Sequence, residues 1–208
     1  MNEKQKENLD KLKKLTHWMN DLEPALYQVQ AQFLVASALF NYIDTLGMFL
    51  VGYYQKDRKT GEILNNTIPS RDRFERFFSY LGPEYENLIK KGKSLGYDVY
   101  GELRCGLTHE LIPKKYNFTI YHVGADSDWY KKNDEEKEKI RKGKIGKLHC
   151  GVEFDTSSKR WEIYVHKLLY DFNKAKEKLI SEIEGENGGL IKNFDEVAKA
   201  INLNNFHY

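Results

Sequence analysis

Residues 33–54 read FLVASALFNYIDTLGMFLVGYY, a largely apolar run about long enough to cross a bilayer. Three polar residues argue against that use: Gln32 at its start, Asn41, and Asp44 near its middle. An uncompensated carboxylate at the centre of a span costs roughly 3 kcal/mol or more. No basic flank immediately follows the run. It therefore reads as a long helix, from about Ala25 to Tyr54, buried in a helical bundle rather than in lipid. Asp44 then needs a partner inside the protein. Two readings stand: it orients Arg104 or His109 at a site, or it makes a structural pair with Arg73 or a tyrosine. Arg73 in turn either adds a phosphate contact or satisfies Asp44.

The chemistry-bearing stretch is Tyr100-Gly101-Glu102-Leu103-Arg104-Cys105-Gly106-Leu107-Thr108-His109-Glu110. A permanently charged guanidinium beside an imidazole that titrates near neutrality can move a proton next to a phosphate. In an α-helix, five steps at 100° put Arg104 and His109 about 140° apart. They would flank a stripe holding Gly101, Cys105, Thr108 and Ile112. Leu103, Leu107 and Leu111 with Tyr100 form the apolar face, and Glu102, Gly106 and Glu110 the third side. The small-residue stripe invites close approach of another backbone, and a symmetric partner would bring a second Arg/His pair to the same groove. The plain structural alternative is that Arg104 pairs with an acid at the core edge and His109 caps a helix end before Pro113.

Composition narrows the classes. With 208 residues, 40% of them hydrophobic, the chain can bury a real core as a single domain. Lys+Arg 33 against Asp+Glu 31 gives a net charge of +2, which excludes a strongly basic nucleic-acid coat but not a local phosphate site. Cys105 and Cys150 are far apart and in no CxxC pattern, so neither a zinc site nor a disulfide framework is implied. With a charged N-terminus lacking a signal core, this reads as a reducing, cytoplasmic setting.

Along the chain, residues 2–20 predict an amphipathic helix. Ser70 is the expected N-cap of a helix whose Phe74, Phe77, Phe78 and Leu81 follow the i, i+3, i+4, i+7 pattern. Gly82-Pro83 breaks it. Tyr116–Val123, Lys147–Phe154 and Trp161–His166 alternate like strands, with a turn at Asp155–Arg160. Leu168–Glu184 and about Phe194–Ile201 read as C-terminal helices. His122, His149 and His166 fall in the β region; a solvated sheet face is preferred there over a metal site. Trp129-Tyr130 is a weak base-stacking candidate. The expected fold class is mainly α: a helical bundle with a small antiparallel β-sheet before the C-terminal helices. Residues 20–113 form its core, 114–167 the β region and 168–208 the closing helices.

The order of these features resembles the HEPN superfamily of nucleotide-binding helical domains. Its mark is an arginine, then four to six residues, then a histidine, in a bundle that usually dimerises. Arg104 and His109 fit the four-residue spacing, and the surrounding residues are similar to an LYxxLRCGLxH form. Ile43-Asp44-Thr45-Leu46-Gly47 and Arg73-Phe74-Glu75-Arg76-Phe77 look like further parts of that pattern. The resemblance covers roughly residues 25–113. It implies a homodimer that binds RNA and cleaves it without metal or cofactor, Arg104 holding the scissile phosphate and His109 acting as general acid or base. Asp44, Arg73, Cys105 and Thr108 would support the site. Active members often carry Asn, Asp or His after the arginine; here that residue is Cys105, a weaker hydrogen-bond partner. Two other functions stay open: a non-catalytic dimerisation or adaptor module, and a nucleotide-binding domain using the same groove.

Overall fold

The computed structural model describes residues 1–27, 31–56, 63–110, 117–121, 133, 135, 136, 139 and 148–201. Helix α1 (Glu3–Trp18) leads through a 3-10 turn (Met19–Asp21) into α2 (Leu22–Tyr27) and α3 (Gln32–Val51). A two-stranded pair follows, β1 (Tyr54–Lys56) and β2 (Ile63–Thr67). Then come α4 (Ser70–Tyr80), α5 (Pro83–Leu95) and a π-helix (Tyr100–Glu110). Strands β3 (Asn117–Tyr121), β4 (Val152–Asp155) and β5 (Arg160–Tyr164) form a second sheet, and α6 (Val165–Glu184) and α7 (Gly188–Ala200) close the described fold. The fold is mainly α with a small sheet before the C-terminal helices.

Helix α3 is the hub: α2, α4, the π-helix, β3, α6 and α7 all pack on it. It is long and apolar enough to cross a membrane, yet Val35, Leu39, Phe40, Ile43, Leu46 and Phe49 are buried within this fold. A helix apolar nearly all round finds its place at the centre of a bundle. It is shorter than the Ala25–Tyr54 helix that the sequence suggests. Ala31 leaves helical dihedrals (ψ 49°), which separates α2 from α3. At the other end Gly52 (φ 90°) stops α3 after Val51. Side chains of α7 cover that end: Asn193 Nδ2 donates to the Leu50 carbonyl at 2.9 Å, and Glu196 Oε1 accepts the Tyr53 and Tyr54 N–H groups, each at 2.8 Å.

Helices α3 and α4 cross closely. A Cβ built on Gly47 would lie 2.0 Å from the Arg73 carbonyl oxygen, so only glycine admits this approach. Phe74, Phe77 and Phe78 are buried as expected. Ser70, however, is not the cap of α4. Pro69 holds that position, and the Ser70 hydroxyl accepts a hydrogen bond from Arg73 Nη2 at 2.6 Å. Gly82 and Pro83 separate α4 from α5, with Pro83 at the first helical position, where its missing N–H costs nothing.

Strands β4 and β5 make the expected antiparallel hairpin, with Val152 opposite Ile163 and Phe154 opposite Trp161. Val152, Trp161 and Ile163 are buried. The third strand differs from an all-antiparallel reading. β3 pairs parallel with β5, from Asn117 beside Arg160 to Tyr121 beside Tyr164, so the sheet is mixed. β3 ends at the end of the sheet where β4 begins, on the other side of β5, and β4 carries the chain back so that β5 runs parallel to β3. His166 is not a sheet residue; it lies buried at the start of α6. His149 is exposed, and His122 and Trp129-Tyr130, singled out in the sequence, lie outside the described residues.

Gly47→Ala forces a methyl into the Arg73 backbone. The expected loss of stability is on the order of 2–4 kcal/mol, read by urea denaturation.

Candidate functional site

The π-helix changes the geometry of the Arg/His pair. Its i→i+5 ladder winds a little over four residues per turn, so residues five apart lie only about 50° from one another. An α-helix would leave them ~140° apart. Positions 104 and 109 therefore stack on one side of the helix instead of flanking a stripe. One i, i+5 pair is near enough to interact: the Tyr100 phenol feels the Cys105 thiol. The side chains of Thr108, His109 and Glu110 lie outside the described residues; the backbone of their turn is helical.

Asp98 starts this helix. Its carboxylate accepts the backbone N–H groups of Tyr100 and Gly101, and its own N–H donates to Glu102 Oε1 at 3.2 Å. This is the logic of an N-cap, two donors satisfied by one acidic side chain. A Cβ on Gly101 would sit 2.5 Å from Asp98 Oδ2, so the cap needs glycine there. Arg71 locks Asp98 from the other side with two bonds, Nη1 to Oδ1 at 2.6 Å and Nη2 to Oδ2 at 2.7 Å. The guanidinium holds this carboxyl below its ordinary range.

Farther along, the helix buries Glu102, Leu103, Gly106 and Leu107. Glu102 does not face a separate polar side, as α-helical projection suggests. It is 5% exposed and accepts the Trp161 indole N–H at 3.0 Å, which ties the π-helix to β5. Ser37 on α3 donates to the Leu107 carbonyl at 3.2 Å.

Asp44 joins one partner from each of its two sequence readings. Its Oδ1 accepts from Arg73 Nε at 3.0 Å, and its Oδ2 accepts from Arg104 Nη2 at 3.2 Å. Asp44 is 4% exposed, so α3, α4 and the π-helix meet on one buried carboxylate. Within the trio two positive charges face one negative, and both arginine side chains keep a small exposed fraction (18% for Arg73 and 14% for Arg104). Tyr100 borders the trio. Burial and the bond to Cys105 push its phenol up, while a hydrogen bond with Ser70 and the charge of Arg104 pull it back. Cys105 and Cys150 are both free thiols. The deeply buried Cys150 thiol is pushed up to about 12 by burial, which makes it inert rather than nucleophilic.

The structure thus gathers Asp44, Arg73, Arg104 and, through Tyr100, Cys105. Arg71, Asp98 and Glu102 belong to the same neighbourhood and are not among the site residues that the sequence suggests. An acid two residues before Tyr100, followed by Glu102, was the available capping signal. Among the described residues, no group of three His, Cys, Asp or Glu side chains is placed to hold a metal ion. The chain matches no protein-family model, no curated protein and no solved structure.

Asp44→Ala leaves two partly buried guanidinium groups without their shared carboxylate. The expected loss is on the order of 3–5 kcal/mol, read as a lowered denaturation midpoint. Asp98 gives a separate pH effect. Its folded pKa lies below the unfolded one, so its contribution is present above the ordinary carboxylate range and is lost as pH falls through the folded value. As pH falls below the ordinary carboxylate range, the stability of the wild type should fall more steeply than that of Asp98→Asn. Equal slopes would remove Asp98 from the account.

Proposed function

We propose that this chain is a HEPN-like RNA-binding protein that acts as a homodimer and cleaves RNA without a metal ion, using Arg104 and His109. The observation that carries the reading is the placement of Arg104. It is held by Asp44 beside Arg73, and residue 109 lies one π-turn above it. A phosphoryl group passing through a five-coordinate state gathers negative charge, and preorganised guanidinium groups stabilise that charge. In the reaction, His109 takes the proton of a ribose 2′-hydroxyl as its oxygen attacks phosphorus, or gives a proton to the departing 5′-oxygen. The products are a cyclic 2′,3′-phosphate and a 5′-hydroxyl end. Arg104 and Arg73 face the nonbridging oxygens, and Asp44 keeps Arg104 from swinging away.

Cys105 favours a second reading. A thiol is a weak hydrogen-bonding group, and the pattern this chain resembles often carries Asn, Asp or His at that position. In that reading the same dimer groove binds RNA or a nucleotide without cutting it, or serves only as an adaptor interface in the cytoplasm.

A mixed pool of structured and single-stranded RNA, incubated in EDTA, separates these readings. The wild type is expected to cut it, and Arg104→Ala and His109→Ala to lose at least about a hundredfold in rate while all three remain dimeric by light scattering. No cleavage by wild type at any concentration would leave the non-catalytic reading. A dimer lost in both variants would assign the pair to the interface.

A further inference from the structure

A cavity of about 230 Å³ opens beside Arg71, between α4, α5 and the segment that enters the π-helix. Ile89, Tyr97 and Val99 line it with apolar surface, and Arg71, Glu75 and Asp98 line it with charge. Tyr97 and Val99 are buried. The Tyr97 hydroxyl is already used, donating to the Leu88 carbonyl at 3.1 Å. The lining thus offers apolar surface and a charged edge to a ring.

Arg71 is the fixed plane of this cavity. Two hydrogen bonds to Asp98 set its orientation, and its guanidinium carbon lies 4.9 Å from the centre of the Tyr100 ring. The side chain is nevertheless about half exposed. Guanidinium planes held in this way stack on unpaired nucleobases.

Glu75 supplies the edge recognition. Asp98 has spent its oxygens on Arg71 and on two backbone N–H groups. Glu75 has not. Among the described residues its one hydrogen bond is a long one, 3.4 Å from Arg71 Nη1. Its Oε1 is thus only weakly held by the Arg71 ion pair, and a carboxylate accepts two parallel N–H donors well. Guanine alone among the four RNA bases presents two adjacent donors, N1–H and N2–H, on its Watson–Crick edge. Adenine and cytosine place a ring acceptor beside their amino group, which a carboxylate repels, and uracil flanks its one N–H with two carbonyls.

We propose that the cavity beside Arg71 is a guanine-reading site for RNA, in which Arg71 stacks on the base and Glu75 accepts its N1–H and N2–H. The inference rests on the RNA-binding reading of the Arg104 site. Tyr100 joins the two: Arg71 lies over its ring, Phe74 meets it edge-on at 5.6 Å, and its hydroxyl faces Ser70 and Cys105 on the side where Arg104 acts. A guanine in the cavity therefore sits one aromatic ring away from the arginine pair.

The test measures binding of fluorescein-labelled uridine heptamers with a central G, A, C or U to the full chain. Guanosine monophosphate serves as competitor. The G heptamer is expected to bind roughly tenfold tighter than the other three, and Glu75→Gln to erase that preference while leaving uridine binding unchanged. Arg71→Lys keeps the charge, loses the plane, and should weaken the G heptamer selectively. Arg104→Ala should weaken all four heptamers alike. Equal binding of the four by wild type, with the Arg104 effect intact, overturns the guanine site and leaves the RNA reading standing. Guanosine monophosphate binding that depends on Glu75, with no binding of any heptamer, overturns RNA as the ligand and assigns the cavity to a free nucleotide. Binding of neither probe overturns both.

Discussion

One buried carboxylate sets the arrangement of this protein. Asp44 sits in the middle of the most apolar helix, where an unpaired charge would be too costly to keep. It can be buried only if positive groups reach it, and they come from two other elements, Arg73 on α4 and Arg104 on the π-helix. Three elements are thereby placed relative to each other by a single side chain. Gly47, three residues on, lets the Arg73 backbone come near enough for this to happen. Packing and electrostatics at this crossing are one constraint: the absence of a Cβ at 47 serves the charge at 44.

Much of the fold is legible in the sequence because apolar periodicity is a burial signal. The phenylalanines of α4, the alternation of β4 and β5, and the inward face of α6 (Leu169, Phe172, Leu179 and Ile183) occupy the core as their spacing predicts. The direction of β3 was not legible, since alternation says which face is buried and nothing about which way a neighbour runs. The break at Ala31 carries no glycine or proline to announce it. The π-winding is hidden for another reason: Leu103 and Leu107 are four apart, a spacing that keeps two residues on one face in an α-helix and in a π-helix alike. Over so short a segment the pattern cannot report the winding.

The site was legible in its members more than in its geometry. Asp44, Arg73 and Arg104 were each identifiable as residues needing partners, and they meet. What sequence left open was whether Asp44 served Arg73 or Arg104; one carboxylate with two oxygens serves both. Glu102 shows the opposite case. An acidic residue beside leucines reads as a solvated face, yet the Trp161 indole, 59 positions along the chain, supplies the donor that lets it be buried. Long-range partners of this kind are invisible to local periodicity.

The π-helix separates two quantities that a motif written as letters treats as one. The number of residues between an arginine and a histidine is a spacer; the angle between them around the helix is a bearing. In α-winding a three-residue spacer gives a bearing of about 40°, and in π-winding the four-residue spacer of this chain gives nearly the same. Insertion of one residue can therefore be absorbed by a wider turn with the bearing preserved. Conversely, a substitution that tightened residues 100–110 to α-winding would keep every letter of the motif and swing its two ends apart by about a quarter of a circle. Tolerance for a variable spacer and sensitivity to distant packing changes are then two faces of the same backbone freedom.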